Sequence, residues 1–178
     1  MTSPVVLAYC ENEIGRDREF LKAFAGTGVD IRVTPYAREP DDKFDRVVRQ
    51  QTDAAKRSGF VVTAILIHHD ADQSVTRRRQ NMEEWFTDTG WREDGVSLIR
   101  CVPNPCTEAW LCLAAGKAIR PKKASPAAGC SPWKEAWEKG NGQDLDPVRS
   151  AARNARTAIR DREDFAAFLR EWTAAGLP

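Results

Sequence analysis

The sequence predicts an α/β fold with a mostly parallel four-stranded sheet flanked by helices, followed by a helical C-terminal extension. Two observations predict this class. Short apolar runs rich in β-branched residues alternate with longer segments of helical periodicity, the pattern of a parallel sheet covered on both faces. The most apolar run, residues 61–67, has the nearly unbroken hydrophobicity of a central parallel strand. At 178 residues the chain is long enough to bury one sizeable core.

Each element is predicted by its local pattern. Apolar runs predict strands over residues 5–10, 31–34, 61–67 and 96–102. Apolar side chains at helical spacing predict helices around Phe20 and Phe24, over 42–57, around Trp85, and over 107–115, 147–160 and 163–173. Residues 117–146 lose this periodicity and are rich in proline and glycine, which predicts an irregular connection. We therefore expect an α/β domain over 1–116, with an irregular basic segment and helices over 117–178 packed on the same domain.

Composition constrains the cellular setting and the partners. The 27 basic and 26 acidic residues leave a net charge of +1, so bulk charge neither attracts nor repels a polyanion. The N-terminus has no basic leader, and the apolar runs are shorter than the roughly 18 residues that a membrane span needs. We expect a cytoplasmic protein that does not enter membranes. The sequence does not indicate an oligomeric state.

The cysteines do not form a recognisable framework. Five of them, an odd number without a CxxC pair, argue against a set of disulfides. A zinc site built from Cys101, Cys106 and the pair His68 and His69 has spacings that match no common structural zinc pattern. We expect both histidines to be structural or to support other site residues.

Acidic residues follow three of the predicted strands. Glu11 comes directly after the first strand, Asp70 and Asp72 follow the central strand, and Glu108 lies in the first turn after the fourth. The carboxyl ends of parallel strands share one edge, so we expect these carboxylates to gather there. Carboxylates that repel one another favour a hard cation such as Mg²⁺ or Mn²⁺, which could polarise a phosphoryl oxygen and activate water. This pattern favours phosphodiester chemistry.

The same acids have a plainer interpretation. Asp is common after strands as a turn former and helix cap, and Asp72 could cap the helix that begins near Ser74. Glu11 and Glu13 could be a solvated pair beside a helix N-terminus, where negative charge is favourable. Position alone does not separate metal binding from capping.

A strand ending in glutamate (residues 5–10, then Glu11) and a later apolar strand ending in the pair Asp70 and Asp72 resemble the Toprim family. That family is shared by type IA and type II topoisomerases, bacterial primases and the overcoming-lysogenization-defect nucleases. The resemblance implies a Rossmann-like sheet, with Glu11 as metal ligand or general acid/base and Asp70 and Asp72 as Mg²⁺ ligands. Asn12 stands where the family usually has glycine after the glutamate, so Glu13 is an alternative to Glu11.

Residues 103–111, with Glu108 after a proline-rich turn, resemble small Toprim-like proteins of prokaryotic mobile and defence loci. This resemblance implies that Glu108 is a fourth acidic ligand and that the protein is a Mg²⁺-dependent endonuclease in anti-phage defence, acting on DNA or RNA. The alternative is a catalytically silent Toprim-like subunit that binds nucleic acid or a protein partner in a defence complex. Either implies an ATPase or sensor subunit encoded separately, because this chain has no ATPase motif.

Basic and aromatic residues supply candidate contacts to nucleic acid. Lys122 or Lys123 could stabilise the negative charge that develops on a scissile phosphate. A helical stripe of arginines could follow phosphates or form a solvated helix face; its members are Arg149, Arg153, Arg156 and Arg160. Trp133 and Trp137 lie in the segment predicted to be irregular, where they could stack on a base or pack against a partner.

Overall fold

The computed structural model describes residues 3–11, 15–36, 40–71, 74–91, 95–117 and 129–178. Its strands form one all-parallel sheet in the order β2-β1-β3-β4. They are β1 (Val5–Cys10), β2 (Asp30–Pro35), β3 (Val62–His68) and β4 (Ser97–Cys101). The predicted α/β class with a four-stranded parallel sheet, flanking helices and C-terminal helices is confirmed, and every predicted strand lies within two residues of its observed limits.

The described residues contain seven α-helices and a short 3₁₀ helix (Gly26–Gly28). The α-helices are α1 (Arg16–Ala25), α2 (Asp42–Arg57), α3 (Val75–Asp88), α4 (Thr107–Ala114), α5 (Ser131–Asn141), α6 (Asp146–Ala158) and α7 (Glu163–Ala174). Asp41 caps α2 by accepting the N–H of Phe44 at 2.8 Å. Ser74 is the N-cap of α3 and accepts the N–H of Arg77 at 3.2 Å, while Asp72 lies outside the described residues.

The prediction of an irregular connection over 117–146 is wrong where α5 lies. Pro132 stands in the first turn of this helix, where its missing N–H leaves no intrahelical bond unmade. Trp133 and Trp137 are one turn apart and both point into the core, with 6% and 0% of their surface exposed. Burial of these two indole rings explains why a proline- and glycine-rich stretch still forms a helix.

The sheet separates two apolar layers because successive side chains of a strand point to opposite faces. On one face, Val6, Ala8 and Cys10 of β1 pack with α1 and with the helices that follow β4. On the other face, Leu7 and Tyr9 pack with α2 and α3. Helices therefore cover both faces of the sheet.

The C-terminal helices belong to the first of these layers. Helix α6 packs against α1 and α4, and α7 packs against β4. Phe165, Phe168 and Trp172 of α7 are fully buried in the same cluster as Phe20 and Trp110. The chain after β4 thus completes the cover on one face of the sheet. Within the described residues, no helix combines the length and apolarity that crossing a bilayer requires.

Candidate active site

The site lies where the strand order of the sheet reverses. From β1 the chain continues to β2 on one side, and from β3 it continues to β4 on the other, so the connections leave the carboxyl ends of β1 and β3 in opposite directions. This divergence opens a crevice, which is where ligands bind in open parallel sheets. Glu11 follows β1 directly, and Asp70 lies two residues after β3.

Asp70 is the centre of the site. Its carboxyl group is buried, with 8% of the residue exposed, and Oδ1 accepts the backbone N–H of Thr107 at 3.1 Å. Burial, followed by the nearby charges of Asp17 and Glu108, raises the pKa of Asp70 to about 8, and Glu11 adds to this effect. Asp17, Glu108 and Glu11 therefore lie near enough to influence Asp70 electrostatically, but among the described residues these acids do not come within ligand distance of one another as a group.

Glu108 is held by an arginine. Arg16, in the first turn of α1, donates from Nη1 to Glu108 Oε1 at 2.8 Å and from Nη2 to Glu138 Oε1 at 2.9 Å. Glu108 is 7% exposed, so this ion pair neutralises a nearly buried charge. Partial burial opposes the charge of Arg16, but the hydrogen bonds that it donates to both glutamates raise its pKa overall. This ion pair uses Oε1 of Glu108 and not its second carboxylate oxygen, Oε2.

Both histidines are buried at the end of β3 and contact residues of the site. Nε2 of His68, which ends β3, lies 2.8 Å from Thr107 Oγ1 and 3.9 Å from Asp17 Oδ1. Nδ1 of His69 lies 3.1 Å from the carbonyl oxygen of Asp70 and 3.5 Å from Glu11 Oε2. His69 thus brings the Glu11 carboxylate next to the backbone that follows β3. These contacts suit the supporting role predicted for both rings.

Two cysteines complete the surroundings of Asp70. One ligand atom each of Asp70, Cys106 and Cys130 lies within 4.8 Å of the others, and these three side chains could hold a metal ion. Burial, then the charges of Glu108 and Asp70, raises the pKa of the Cys106 thiol. The zinc site considered from Cys101, Cys106 and the two histidines does not form among the described residues. Cys101 lies in β4 opposite His68 and is fully buried in the sheet.

Lys134 supplies a positive charge near this cluster. It is exposed in the first turn of α5, and the carboxylates of Glu108 and Asp70 raise its pKa although partial burial opposes the shift. Lys122 and Lys123, predicted to contact the phosphate, lie outside the described residues, as does Glu13. Among the described lysines, Lys134 is therefore the one whose pKa reflects the negative charges of Glu108 and Asp70.

The structure corrects one prediction about nucleic-acid contacts and bears on a second. Trp133 and Trp137 are core residues, so their rings are not available to stack on a base. Arg149 is bonded to Glu19 at 2.9 Å and to Asp146 at 2.7 Å, so intramolecular carboxylates already balance its charge. The guanidinium of Arg156 lies 4.3 Å from the centroid of the Phe24 ring. The arginine stripe on α6 is thus partly used to fix the helix to α1.

Sequence reasoning missed several site residues. Asp17 carried a usable signal, because it lies in the first turn of the helix that follows β1 and so near the same edge as Glu11. Cys106 follows β4 in the same way, at the N-cap of α4. Cys130 carried no such signal, since its position depends on how α5 docks against α4. Lys134 did carry one, because it belongs to the acid-free basic segment between Glu108 and Glu135.

No protein-family model, curated protein or solved structure matches the chain. The resemblance to the Toprim family therefore stays a prediction from the quoted residues.

Proposed function

We propose that this protein is a metal-dependent nuclease that hydrolyses nucleic acid phosphodiesters in prokaryotic anti-phage defence, with Mg²⁺ or Mn²⁺ held by Asp70 and Glu11. The observation that carries the proposal is the buried carboxyl group of Asp70 at the reversal point of the sheet, which interacts electrostatically with the carboxylates of Asp17, Glu108 and Glu11. The Toprim resemblance supports the same chemistry and adds Asp72 to the ligands.

The chemistry of the donors suits a hard divalent cation. Each of the four described acids offers carboxylate oxygens, the ligands that Mg²⁺ prefers, and a cation would relieve the repulsion that raises the pKa of Asp70. The Glu11 side chain is 34% exposed, so substrate can reach it. Glu108 gives one oxygen to Arg16 and is left with Oε2 to assist the ion.

The protein's own groups would bind and orient the substrate. A bound divalent ion would polarise a phosphoryl oxygen and lower the pKa of water. Lys134 would contact the scissile phosphate, in the role predicted for Lys122 or Lys123, since its charge is exposed beside Asp70 and Glu108. Glu11 would accept a proton from the attacking water or bind the ion directly, with His69 beside Oε2 to orient the carboxylate.

One feature favours a second function, a catalytically silent subunit that binds nucleic acid or a protein partner in a defence complex. Arg16 neutralises Glu108, and the N–H of Thr107 bonds to Asp70, so two of the acids are partly satisfied without a cation. In that case the same residues would stabilise the crevice, and replacing the acids would leave binding intact. A separately encoded ATPase or sensor fits either function.

The test is calorimetric binding of Mg²⁺ and Mn²⁺ together with cleavage of plasmid DNA and of RNA. We expect Asp70→Asn to abolish metal binding and cleavage, and Glu11→Gln to reduce cleavage by at least roughly a hundredfold, the usual scale for a general base. Asp53→Asn, an exposed carboxylate on α2, is the matched control and should behave like the wild type. Metal binding without cleavage would support the silent subunit, and an absence of metal binding would refute the nuclease proposal.

A further inference from the structure

Two thiols and a carboxylate from three separate elements meet beside the crevice. Asp70 follows β3, Cys106 is the N-cap of α4, and Cys130 is the N-cap of α5. From this juxtaposition we infer that Asp70, Cys106 and Cys130 form a binding site for one thiophilic divalent cation, such as Zn²⁺. The site differs in ligand chemistry from the proposed Mg²⁺ site, and its existence does not depend on nuclease activity.

The distances suit such an ion. Zinc binds thiolate sulfur at about 2.3 Å in tetrahedral geometry, which places two sulfur ligands ~3.8 Å apart. The three ligand atoms already lie within 4.8 Å of one another, so closure around an ion requires movements of only ~1 Å. Cys130 is partly exposed and its thiol donates to the Pro105 carbonyl at 3.4 Å, so rotation away from this weak bond can supply such a movement.

Secondary structure holds the ligand backbones in place. The carbonyl of Cys106 accepts the N–H of Ala109 at 3.0 Å, and the carbonyl of Cys130 accepts that of Lys134 at 3.0 Å, so each cysteine is tied to the first turn of its helix. Asp70 is fixed by the N–H of Thr107, the residue after Cys106. Each ligand therefore lies at the end of a helix or just after a strand, where hydrogen bonds restrain its backbone, which favours a preformed metal site.

The ligand types select the metal. Two sulfur atoms and one carboxylate oxygen suit Zn²⁺ and other soft or borderline ions, whereas Mg²⁺ takes oxygen ligands. Three protein ligands leave a fourth tetrahedral position for water or for Glu108. The Cys112 thiol lies nearer the C-terminal end of α4. It donates to the carbonyl of Trp133 at 3.7 Å and does not belong to the cluster.

Charge balance also supports an ion here. Two thiolates and the Asp70 carboxylate carry three negative charges, and a divalent cation leaves one of them uncompensated. Lys134 interacts electrostatically with all three ligands, so its ammonium group provides the missing positive charge. A neutral assembly of ion, ligands and lysine can be partly buried at lower cost than the separate charges.

The site shares Asp70 with the proposed nuclease site, so the two ions compete for one carboxylate. Zinc at the cysteines would therefore withdraw a ligand from Mg²⁺. The two proposals can nevertheless be refuted independently. Glu11→Gln removes an acid from the nuclease site alone, and the cysteine substitutions leave the carboxylates unchanged.

The experiment uses Co²⁺ as a spectroscopic probe on the full chain, kept reduced with a phosphine. We expect one Co²⁺ to bind per chain with a thiolate-to-cobalt charge-transfer band, and Zn²⁺ to displace it. Cys106→Ser and Cys130→Ser should each weaken binding by at least roughly tenfold, the loss caused even by changing an outer-sphere partner. The matched control Cys112→Ser and the variant Glu11→Gln should keep the band.

Some results would overturn the inference. They are the absence of a charge-transfer band in the wild type, a band that persists in both Cys106→Ser and Cys130→Ser, and an equal loss in Cys112→Ser. Circular dichroism checks the fold of each variant. Should the fully buried Cys106 position not tolerate serine, Cys130→Ser still decides the outcome, because Cys130 is partly exposed.

Discussion

Asp70 carries an energetic cost in the folded protein. Burial and the neighbouring carboxylates raise its pKa from 3.8 to about 8, so the folded state holds the proton more tightly than the unfolded state does. Protonation therefore favours folding, and this contribution is present in full below the unfolded pKa. It is lost as the pH rises from about 4 toward 8, and stability falls over that range. Such a cost is typical of residues retained for binding or catalysis.

Replacing Asp70 by asparagine should therefore stabilise the protein in the absence of metal. Asparagine keeps an oxygen for the Thr107 N–H and removes the buried charge. We expect the free energy of unfolding of Asp70→Asn in EDTA to exceed that of the wild type by on the order of 3 kcal/mol at pH 7, and by little at pH 4. Urea denaturation at both pH values measures this difference.

The exposed control Asp53→Asn should show no such pH dependence. A gain for Asp70→Asn that is equal at pH 4 and pH 7 would mean that electrostatic repulsion at Asp70 is not its cause.

At the scale of elements, Glu171 fastens α7 to the edge of the sheet. Its Oε2 accepts the backbone N–H of Arg100 in β4 at 2.7 Å, and Oε1 accepts Arg100 Nε at 2.9 Å and the guanidinium of Arg79. One carboxylate thus balances two arginines and satisfies a donor on an edge strand. Covering an edge in this way also prevents it from pairing with another chain.

Glu171→Gln should destabilise the protein by about 2 kcal/mol, because Arg79 and Arg100 are partly buried and lose their shared counter-charge, while Arg100 keeps only Glu83 at 3.1 Å. Thermal and urea unfolding measure the loss. Glu163→Gln, an exposed change at the start of the same helix, is the control and should alter stability by less than ~1 kcal/mol. Similar stabilities for the two variants would show that this contact does not fasten α7 to β4.

The elements differ in how far the sequence predicts them. The strands follow from local composition, because a parallel strand covered on both faces must be apolar along its whole length. Helix α5 was missed because the prolines and glycines around it resemble a loop. Pro132 at its start and the four-residue spacing of Trp133 and Trp137 are the signals that identify it, and only burial of both rings distinguishes a helix from a coil there.

The residues of the candidate site also differ in how far the sequence predicts them. Glu11, Asp70 and Glu108 could be predicted together because topology brings the carboxyl ends of parallel strands to one edge. The approach of Cys130 to Asp70 could not be predicted, since it depends on tertiary packing between α4 and α5. The pairing of Arg16 with Glu108 spans 92 residues and likewise has no local signal.

At the scale of the whole molecule, the two apolar layers share the central strands. Val6 and Ala8 of β1 belong to one layer, and Leu7 and Tyr9 of the same strand belong to the other. Loss of either layer exposes one face of β1 and β3 to water. We therefore expect both layers to unfold together, although the buried apolar side chains of the C-terminal helices belong to only one of them.

Trp172→Ala tests this coupling. Trp172 is fully buried, its ring centroid lies 5.1 Å from that of Phe24, and its Nε1 donates to the Pro178 carbonyl at 2.7 Å. Truncation should lower the free energy of unfolding by about 3–5 kcal/mol. Far-UV circular dichroism and the fluorescence of the remaining tryptophans, including Trp85 and Trp91 in the opposite layer, should follow one lowered urea midpoint. The control Thr173→Ala, an exposed change on the same helix, should alter the stability little. For Trp172→Ala, a fluorescence transition that separates from the circular dichroism transition would show that the layers unfold independently.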